Sequence, residues 1–327
     1  MNKNSFDGHL VFKSSKNFNK ASGRSNHNKN LEKITKFFEK KINLKKNQLF
    51  RNNDGFCPFI KKNCKKIKKK KIFTKNGFIY NKCQCEMVFV NPVLKEEIFH
   101  SNLFNENSYN KVMRSRANLD LDIKKFSYGL EQAKVKNNSK ILDIGCGFGF
   151  FLDIAKKKGH DVYGSELNLE CIKIMKEKNI PNINIENIKN TKFDLITLWT
   201  VFEHIINPNF FLKKISFLLN KKGKILINVP NLNSLTARIL HKECSMFHGH
   251  QHLNFYSPNT LGNLLKKNGF KVFNMETIIS DIDTIRNHLS FDRPYKDSSN
   301  KDFYFLNSDL IHKNLMGYTL LTIAEKR

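Results

Sequence analysis

The stretch KILDIGCGFGFFLDIAKKKGHDVYGSEL, residues 140–167, decides the fold class. KILDIG is an apolar run that ends in glycine, which is typical of a buried parallel strand. FGFFLDIAKKKGH follows as an amphipathic helix closed by Gly159. DVYGSE is a second short strand. A strand, a helix and a strand in this order predict a βαβ unit and a parallel sheet.

The alternation of strands and helices continues to the C-terminus. Further helices are predicted at residues 169–179, 208–220 and 257–269. Further strands are predicted at residues 182–186, 193–201, 223–230, 270–279 and 317–326. The predicted fold class is therefore α/β, with a doubly wound, seven-stranded sheet over residues 135–327.

A glycine loop joins the first of these strands to the first helix. Gly145, Gly147 and Gly149 occupy alternate positions, and glycine allows positive φ and a close approach of the backbone to a ligand. The helix after the loop presents unpaired N–H groups at its N-terminus. Glu166 ends the second strand, where an acid of a doubly wound fold hydrogen-bonds a ribose diol. The sequence thus predicts a nucleotide-type ligand.

The spacing of the loop separates two such ligands. A dinucleotide site has the pattern G-x-G-x-x-G, whereas here Phe150 stands where the last of those glycines would be. Asp143, which precedes the first glycine, is also foreign to the dinucleotide fingerprint. S-adenosylmethionine (SAM) has no pyrophosphate, so a loop that binds it need not surround one. The spacing favours SAM.

Residues 141–167 resemble the first two motifs of the class I SAM-dependent methyltransferases. The resemblance continues through residues 193–231, with a Glu-His pair after the fourth strand, and through HLNFYSPNTLGNLLKKNGFKV at residues 252–272. It implies a Rossmann-like sheet whose last strand is antiparallel. It also implies a SAM site formed by Asp143, Gly145, Cys146, Gly147, Gly149, Glu166, Leu167, Asn187, Trp199 and Thr200.

The same resemblance assigns a role to each part of that site. The glycine loop and Asp143 would hold the methionine part of SAM, and Glu166 would hold the ribose hydroxyls. Leu167 would pack on the adenine ring. Asn187, or its neighbour Glu186, would meet the adenine amine.

The main task left to the protein is to align the acceptor with the methyl donor, because methyl transfer from a sulfonium is an in-line displacement. Trp199 and Thr200, at the end of the fourth strand, would face the methyl donor. A base matters only where the acceptor keeps its proton near neutral pH. His252 and His204 are the candidate catalytic residues. Glu203, His248 and His250 are further candidate bases.

Two alternatives for these histidines stay open. His252 matches the HLNF segment of the family, and its alternative role is to hold a loop near the active site. His248, His250 and His252 occupy alternate positions, which suits zinc chelation from a strand, although the sequence shows no obvious carboxylate partner for them.

The segment after the fourth strand bears on the acceptor. Superfamily members that methylate amino groups of bases or glutamine carry Asn/Asp-Pro-Pro-Tyr/Phe there, whereas residues 200–204 read TVFEH. Oxygen, carbon and other nitrogen acceptors remain. Enzymes that resemble this chain in HLNFYSP act in surface polysaccharide and secondary metabolism. The resemblance therefore implies a small molecule or saccharide intermediate, methylated on a hydroxyl oxygen.

A cysteine module precedes the α/β region at residues 51–95. Cys57, Cys64, Cys83 and Cys85 could bind one structural zinc ion tetrahedrally. FCPF and NKCQCEMVFVNP resemble the zinc-ribbon module that often precedes this type of methyltransferase. Cys83 is displaced by one position from that pattern, and Glu86 replaces its glycine. A degenerate ribbon that packs without metal is therefore the alternative.

Charge and composition add weaker expectations. Lys and Arg number 57 against 29 acidic residues, a net charge of +28. An anionic partner such as RNA is one interpretation, and an exposed lysine-rich surface without such a role is the favoured one. Residues 1–50 are polar and poor in pattern, which predicts a flexible basic tail with one amphipathic helix at residues 31–44. Residues 96–134 are predicted to form a helical linker or substrate cap.

The location and the class of function follow from these features. The chain shows neither a transmembrane run nor a signal-peptide core, and its seven cysteines do not indicate a disulfide framework, so a cytoplasmic location is expected. The leading hypothesis is a methyltransferase of small molecules or saccharide intermediates. An RNA methyltransferase that docks through its basic N-terminal region and a non-catalytic SAM-binding protein are the alternatives.

Overall fold

The computed structural model describes residues 70–95, 113–289 and 306–327, together with residues 36, 39, 40, 50, 51 and 57. Outside these residues lie most of the predicted tail with its helix at 31–44 and most of the stretch KKNCKKIKKKK at residues 61–71, which contains Cys64. Residues 96–112 of the predicted linker lie outside them as well.

The described strands form three sheets. They are β1 (Phe50–Arg51), β2 (Lys70–Lys75), β3 (Phe78–Lys82), β4 (Val88–Val90), β5 (Val93–Leu94), β6 (Lys140–Ile144), β7 (Asp161–Ser165), β8 (Phe193–Trp199), β9 (Leu219–Pro230), β10 (Asn254–Phe255), β11 (Phe270–Ile279) and β12 (Thr319–Lys326). The sheet orders are β1-β5, β10-β4-β3-β2 and β11-β12-β9-β8-β6-β7.

The largest of these sheets has the predicted Rossmann-like arrangement. Strands β7, β6, β8 and β9 pair in parallel. Strand β12 runs antiparallel between β9 and β11. The predicted α/β fold and its antiparallel last strand are confirmed.

Eight helices are described around these sheets. They are α1 (Arg116–Ala133), α2 (Phe150–Lys157), α3 (Leu169–Glu177), α4 (Pro208–Leu218), α5 (Leu235–Leu240), α6 (Pro258–Lys267), α7 (Ile282–Leu289) and α8 (Ser308–Lys313). Side-chain caps begin several of them. Ser257 and Thr260 form a capping box at α6, and the side chains of Asn168 and Asn207 cap α3 and α4. Single-turn 3-10 helices lie at Ile185–Asn187, Phe202–His204 and His241–Glu243.

The central strands are buried on both faces because helices cover each side. Alternate residues of β6 and β8 enter two different apolar clusters. One cluster joins Leu142 and Ile196 to α4 and α6. The other joins Ile141 and Leu195 to α1 and α2. Burial on both sides explains why these strands read as continuous apolar runs in the sequence.

Residues 182–186 do not form the strand that the sequence predicts. Asn182 makes a single parallel bridge to Gly164, and the chain then turns into the 3-10 helix Ile185–Asn187. The side chain of Asn184 accepts a hydrogen bond from the Glu186 N–H, which offers the backbone a local partner in place of a strand ladder. The described sheet therefore has six strands instead of seven.

The cysteine module and the α/β region share a sheet. Strand β10, which precedes α6, pairs with β4 through Asn254–Phe89 and Phe255–Val88. The aromatic rings of Tyr80, Phe247 and Phe255 pack together at centroid distances of 5.0–5.5 Å. Residues 244–255 are thereby held between the module and the central sheet.

A pair of helical glycines tests how α1 packs on the central sheet. A Cβ at Gly129 would lie 2.5 Å from Cη2 of Trp199, whereas a Cβ at Gly262 in α6 would lie 3.7 Å from its nearest neighbour, Met275. Gly129→Ala should lower the free energy of unfolding by about 1–3 kcal/mol through overpacking. Gly262→Ala should raise it by about 0.5–1 kcal/mol through helix propensity. Urea denaturation of both variants measures this, and equal effects would contradict the packing.

Candidate active site

The three positions of the loop hold glycine for different structural reasons. Their φ angles are 68°, 52° and 69° for Gly145, Gly147 and Gly149. A Cβ at Gly145 would lie 2.5 Å from Val201, and one at Gly149 would lie 3.1 Å from Met175. A Cβ at Gly147 would meet nothing within 4 Å. Packing therefore requires the outer two, while Gly147 presents bare backbone to open space.

Asp143 lies beneath this loop, at the carboxyl end of β6. It is 2 % exposed and accepts a hydrogen bond of 2.7 Å from the hydroxyl of Thr197, its register partner on β8. Burial raises the pKa of Asp143 to about 8, and the nearby Glu166 charge adds to the rise, while the Thr197 bond opposes it. A cationic ligand in the crevice would favour the ionised form of this carboxyl.

Glu166 turns its carboxylate toward the loop. It accepts N–H bonds from Gly147 at 2.8 Å, Leu167 at 2.7 Å and Asn168 at 2.9 Å. The Asn182 side chain bonds both the N–H and the carbonyl of Glu166, so the main chain of this residue is held in place. A carboxylate offers about four acceptor positions, so capacity for a hydroxyl donor remains.

Apolar surface lies directly after Glu166. Leu167 and Leu169 are each 81 % exposed, although leucine is usually buried. Asn187 is also exposed, in the 3-10 helix that follows the Asn182 bridge. Cys146 faces the other way, with its Sγ 3.2 Å from Sδ of Met175, so only its main chain borders the crevice.

The end of β8 contains two unusual residues. Thr200 is exposed and has a φ of 54°, a region that a β-branched residue rarely adopts. Trp199 is buried, with its ring 4.8 Å from Phe126 and 5.6 Å from Phe151. Its indole Nε1 has no hydrogen-bond partner among the described residues. Strain and an unpartnered donor at the end of a strand are features of functional edges in doubly wound sheets.

The residues at this edge of the sheet fit SAM. The open surface at Gly147 admits a close ligand, and Glu166 lies within hydrogen-bond distance of that surface. Leu167 supplies an exposed apolar face for a flat ring. These three features are the ones that an adenosyl sulfonium with a ribose diol requires.

A second group of polar residues follows β8. Glu203, His204 and His252 bring their ligand atoms within 4.8 Å of one another. The Nε2 atoms of His204 and His252 lie 3.9 Å and 4.0 Å from Oε1 of Glu203. Burial raises the pKa of Glu203 to about 8 and lowers the pKa of both histidines. Both imidazoles are therefore neutral at physiological pH.

Main-chain hydrogen bonds hold this group in place. The N–H of Leu253 donates to the carbonyl of Glu203 at 2.9 Å, and the side chain of Asn254 donates to the carbonyl of Ile205 at 2.7 Å. The segment that contains His252 is thus attached to the 3-10 helix Phe202–His204. His250 is fully buried nearby, and the ring of His248 lies 5.2 Å from that of His252.

Three of the four predicted zinc ligands cluster in the cysteine module. Sγ of Cys57 lies 3.1 Å from Sγ of Cys83 and 2.8 Å from Sγ of Cys85. Hydrogen bonds from Cys57 and Cys85 lower the pKa of Cys83, which favours its thiolate. Cys64 lies outside the described residues. Three converging sulphurs fit a zinc ion, because thiolate is the ligand that zinc prefers in structural sites.

Comparison with known proteins identifies the family. A sequence profile described as a methyltransferase domain matches residues 109–274, which is half of the chain. The chain belongs to this methyltransferase family.

Relatives of this methyltransferase chain come from bacteria and archaea. A ubiquinone biosynthesis O-methyltransferase of Pelagibacter ubique is 32% identical over 154 residues, covering 42% of this chain and 64% of that protein. An uncharacterised protein of Methanocaldococcus jannaschii is 30% identical over 142 residues, covering 43% of this chain and 62% of the relative. The match thus spans less than two thirds of the relatives' own length.

Solved structures are similar at a lower level. A SAM-dependent methyltransferase of Archaeoglobus fulgidus has 20% sequence identity and a TM-score of 0.45, with 68% of this chain and all of that chain covered. One from Mesorhizobium loti has 16% identity and a TM-score of 0.43, with 62% and 98% covered. In the part of this chain that the structure describes, no helix combines the length and apolarity needed to span a bilayer.

Sequence reasoning missed several residues of the candidate site. Thr197 is the hydrogen-bond partner of Asp143. The signal in the sequence is the alignment of the predicted ends of β6 and β8, which places these two residues side by side. The sequence places Asn182 in a predicted strand, whereas in the structure its side chain holds the main chain of Glu166. The approach of Glu203 to His252 joins positions that are 49 residues apart, and no local pattern signals it.

The raised pKa of Asp143 predicts a pH dependence of stability. Between its ordinary pKa of 3.8 and about 8, the unfolded chain has lost a proton that folded Asp143 keeps. In the absence of ligand, the free energy of unfolding should therefore fall as pH rises through this window, by up to about 1.4 kcal/mol per pH unit. Asp143→Asn should make this slope clearly smaller but not abolish it, because buried Glu203, whose pKa is also raised to about 8, adds a slope of the same sign. Asp161→Asn, at an exposed residue, should leave the whole slope unchanged. Urea denaturation from pH 4 to 8 checks this, and equal slopes in all three proteins would contradict it.

Proposed function

We propose that the protein is a SAM-dependent methyltransferase that methylates a hydroxyl oxygen of a small molecule or saccharide intermediate. The observation that carries this proposal is the open backbone at Gly147, bonded at 2.8 Å to the Glu166 carboxylate. Family membership supports it independently, because the matched profile covers both residues.

Each residue of the proposed SAM site has a task that its geometry supports. Gly145, Gly147 and Gly149 shape the loop, and Gly147 gives the ligand access to main-chain groups. Glu166 accepts the ribose hydroxyls, and Leu167 covers one face of the adenine. Bound SAM supplies an activated methyl group. Asp143 balances positive charge from below the loop, where its ionisation becomes favourable once a cation is near.

The edge residues complete the proposed site. Thr200, in its left-handed conformation, lies exposed at the end of β8 and borders the acceptor. Trp199, whose buried Nε1 has no hydrogen-bond partner among the described residues, precedes Thr200 at the end of this strand. Asn187 is exposed and meets the adenine amine, while Cys146 contributes its main chain. Exclusion of water and alignment of the acceptor are the contributions of this edge.

Two observations support an oxygen acceptor. The relatives from Pelagibacter ubique and Bradyrhizobium diazoefficiens are O-methyltransferases of ubiquinone biosynthesis, at 32% and 26% identity. The sequence TVFEH at residues 200–204 also lacks the motif of amino-methylating enzymes. We also propose a role in polysaccharide or metabolite biosynthesis, the setting that the resemblance in HLNFYSP implies, and a cytoplasmic location.

A histidine near the proposed site is a candidate to receive the proton of the acceptor hydroxyl. The Nδ1 atom of His252 bonds the main-chain carbonyl of Met246, which leaves its Nε2 atom as an acceptor in the neutral ring. His252 is the proposed base and His204 the residue that holds its surroundings. Efficient proton transfer requires such a neutral imidazole near the acceptor.

We also propose a structural zinc ion in the cysteine module. Cys57, Cys83 and Cys85 would be three of its ligands, and Cys64 the fourth. The ion would stabilise the sheet that β2, β3 and β4 form with β10.

Two glycines with positive φ and open space in front of them test the SAM site. Gly147→Val should abolish binding of S-adenosylhomocysteine, because its side chain enters the open surface beside Glu166. Gly269→Val is the matched control, since Gly269 also has a positive φ of 83° with nothing within 4 Å but lies between α6 and β11. Calorimetric titration measures both. Unchanged affinity in Gly147→Val, or equal losses in both variants, would overturn the proposed site.

A methyl-transfer screen tests the acceptor class. Tritiated SAM is supplied with sugars, nucleotide-sugars, small hydroxyl compounds or total RNA, and label should enter one of the small molecules. Label in RNA that falls steeply with salt would favour an RNA methyltransferase instead. Cofactor binding without transfer to any acceptor would favour a non-catalytic SAM-binding protein.

The zinc proposal predicts a loss of metal and stability together. Cys83→Ser should remove one zinc ion per chain and lower the thermal stability of the module, because metal binding and folding are coupled. Cys171→Ser is the control, since Cys171 is buried in α3 and lies outside the sulphur cluster. Elemental analysis and thermal unfolding measure the effects. Equal zinc content in wild type and Cys83→Ser would sink this proposal.

A further inference from the structure

A cavity of about 290 Å³ lies where the cysteine module meets the α/β region. Lys82, Glu86 and Val88 of the module line one wall of this junction cavity. Asn233, which follows β9, and the first turns of α6 line the facing wall. The volume is close to the lower bound of about 300 Å³ for small-molecule sites, which is enough for one sugar-sized ring. Neither part of the chain forms the cavity alone.

Hydrogen bonds fix the main chain of both walls. The turn that carries Glu86 is closed by bonds from the Cys83 N–H to the Met87 carbonyl at 3.1 Å and from the Glu86 N–H to the Cys83 carbonyl at 3.0 Å. On the other wall, the N–H of Asn233 donates to the side chain of Asn231 at 3.0 Å. The capping box fixes the start of α6. A ligand therefore meets a preformed surface, and little backbone freedom is lost when it binds.

Three carboxamides give the cavity its polar character. They belong to Asn233, Asn259 and Asn263, and no residue that the structure describes bonds to any of the three amide groups. Asn259 and Asn263 are exposed and lie one helical turn apart, on the same face of α6. Each carboxamide both donates and accepts hydrogen bonds, so the lining matches a ligand whose groups do the same.

The two charged residues of the lining balance each other. Nζ of Lys82 lies 2.8 Å from Oε1 of Glu86, and both side chains are exposed to solvent. Such a pair contributes little to stability, so its groups can turn toward a ligand at small cost. The cavity thus has no net charge in a chain of net charge +28, and it does not select for an anion. Val88 and Leu232 add apolar surface.

We propose that the junction cavity binds an uncharged glycosyl unit of the methyl acceptor. The carboxamides match vicinal hydroxyls, because a hydroxyl also donates and accepts. The ammonium of Lys82 and the carboxylate of Glu86 strengthen such bonds by their charge. Val88 and Leu232 pack against the C–H face of the ring. A phosphate group would require several positively charged donors, whereas the single lysine of this lining already has an acidic partner.

The position of the cavity relates it to the methyl donor. Asn228 of β9 is the register partner of Trp199, and its carbonyl accepts the N–H of Thr200 at 2.9 Å. Asn233 follows in the segment after β9, at the same edge of the sheet. Strand β8 lies between β9 and β6, and neighbouring strands are about 4.8 Å apart. A ring in the cavity would therefore approach Thr200 from the side opposite the glycine loop. This consequence rests on the proposed function, whereas glycoside binding itself does not.

Saturation-transfer NMR on the full, zinc-loaded chain tests the proposal. The probes are the methyl glycosides of glucose, galactose, mannose and rhamnose, and at least one of them should bind to the wild type. Asn259→Ala combined with Asn263→Ala should weaken this binding about tenfold through lost hydrogen bonds. Alanine favours the helix, so this variant should stay folded, as thermal unfolding measures. Glu86→Gln, on the facing wall, should weaken binding as well. Asn190→Ala, at an exposed residue outside the cavity, should bind like wild type.

Two further titrations on the same samples sharpen the result. Affinity for S-adenosylhomocysteine should be equal in the wild type and in the variants of the cavity. Glycoside binding without any cofactor binding would leave the junction cavity standing and overturn the proposed function instead. Glucose-1-phosphate should bind no more tightly than methyl glucoside. Tighter binding of the phosphate, binding of none of the four glycosides, or equal affinity in wild type and all variants would refute the glycosyl site.

Discussion

The parallel register of β6 with β8 places Asp143 beside Thr197, and the rest of the site depends on that pairing. The two strands end at the same edge, so the loop after β6 and the segment after β8 must leave the sheet together. Gly145 and Val201 then lie so close together that a side chain at position 145 would occupy the space of the valine. The glycine loop and the Glu-His segment are thus parts of one packed unit.

The crevice at this edge combines open backbone with restrained side chains. Glu166 is held by its own neighbours, through three N–H bonds and the side chain of Asn182, before any ligand arrives. Such preorganisation lowers the cost of binding because little side-chain freedom is left to lose. Thr200 stores strain in its left-handed backbone at the same edge. The groups proposed to meet the donor are therefore fixed by the fold.

The segment at residues 244–256 links the two halves of the chain. Its strand β10 pairs with β4 of the cysteine module, and Leu253 beside it bonds the carbonyl of Glu203. His252 lies between these two attachments. The cysteine module and His252 are therefore connected by a short, hydrogen-bonded stretch. This connection gives the module a structural reason to accompany the methyltransferase domain.

Sequence reasoning succeeded where one local pattern sets the structure. The run KILDIG, the glycine loop and the helix predicted to begin at Ser257 depend on contacts between residues close in the chain. It failed at residues 182–186, where NINIE alternates like a strand but the Asn184 side chain competes for the backbone. It also left the histidines of HGHQH without a partner, since Glu203 is distant in sequence.

The sequence by itself determined the Rossmann-like fold class, the order of the strands along the chain and the loop that borders the proposed SAM site. These features follow from apolar periodicity and from glycine, whose backbone freedom is a local property. Only the tertiary structure decided that Gly147 faces open space, that Asp143 bonds Thr197, and that Glu203 lies with His204 and His252. Those relations arise from the packing of strands and loops that are far apart in the chain, which no local pattern encodes.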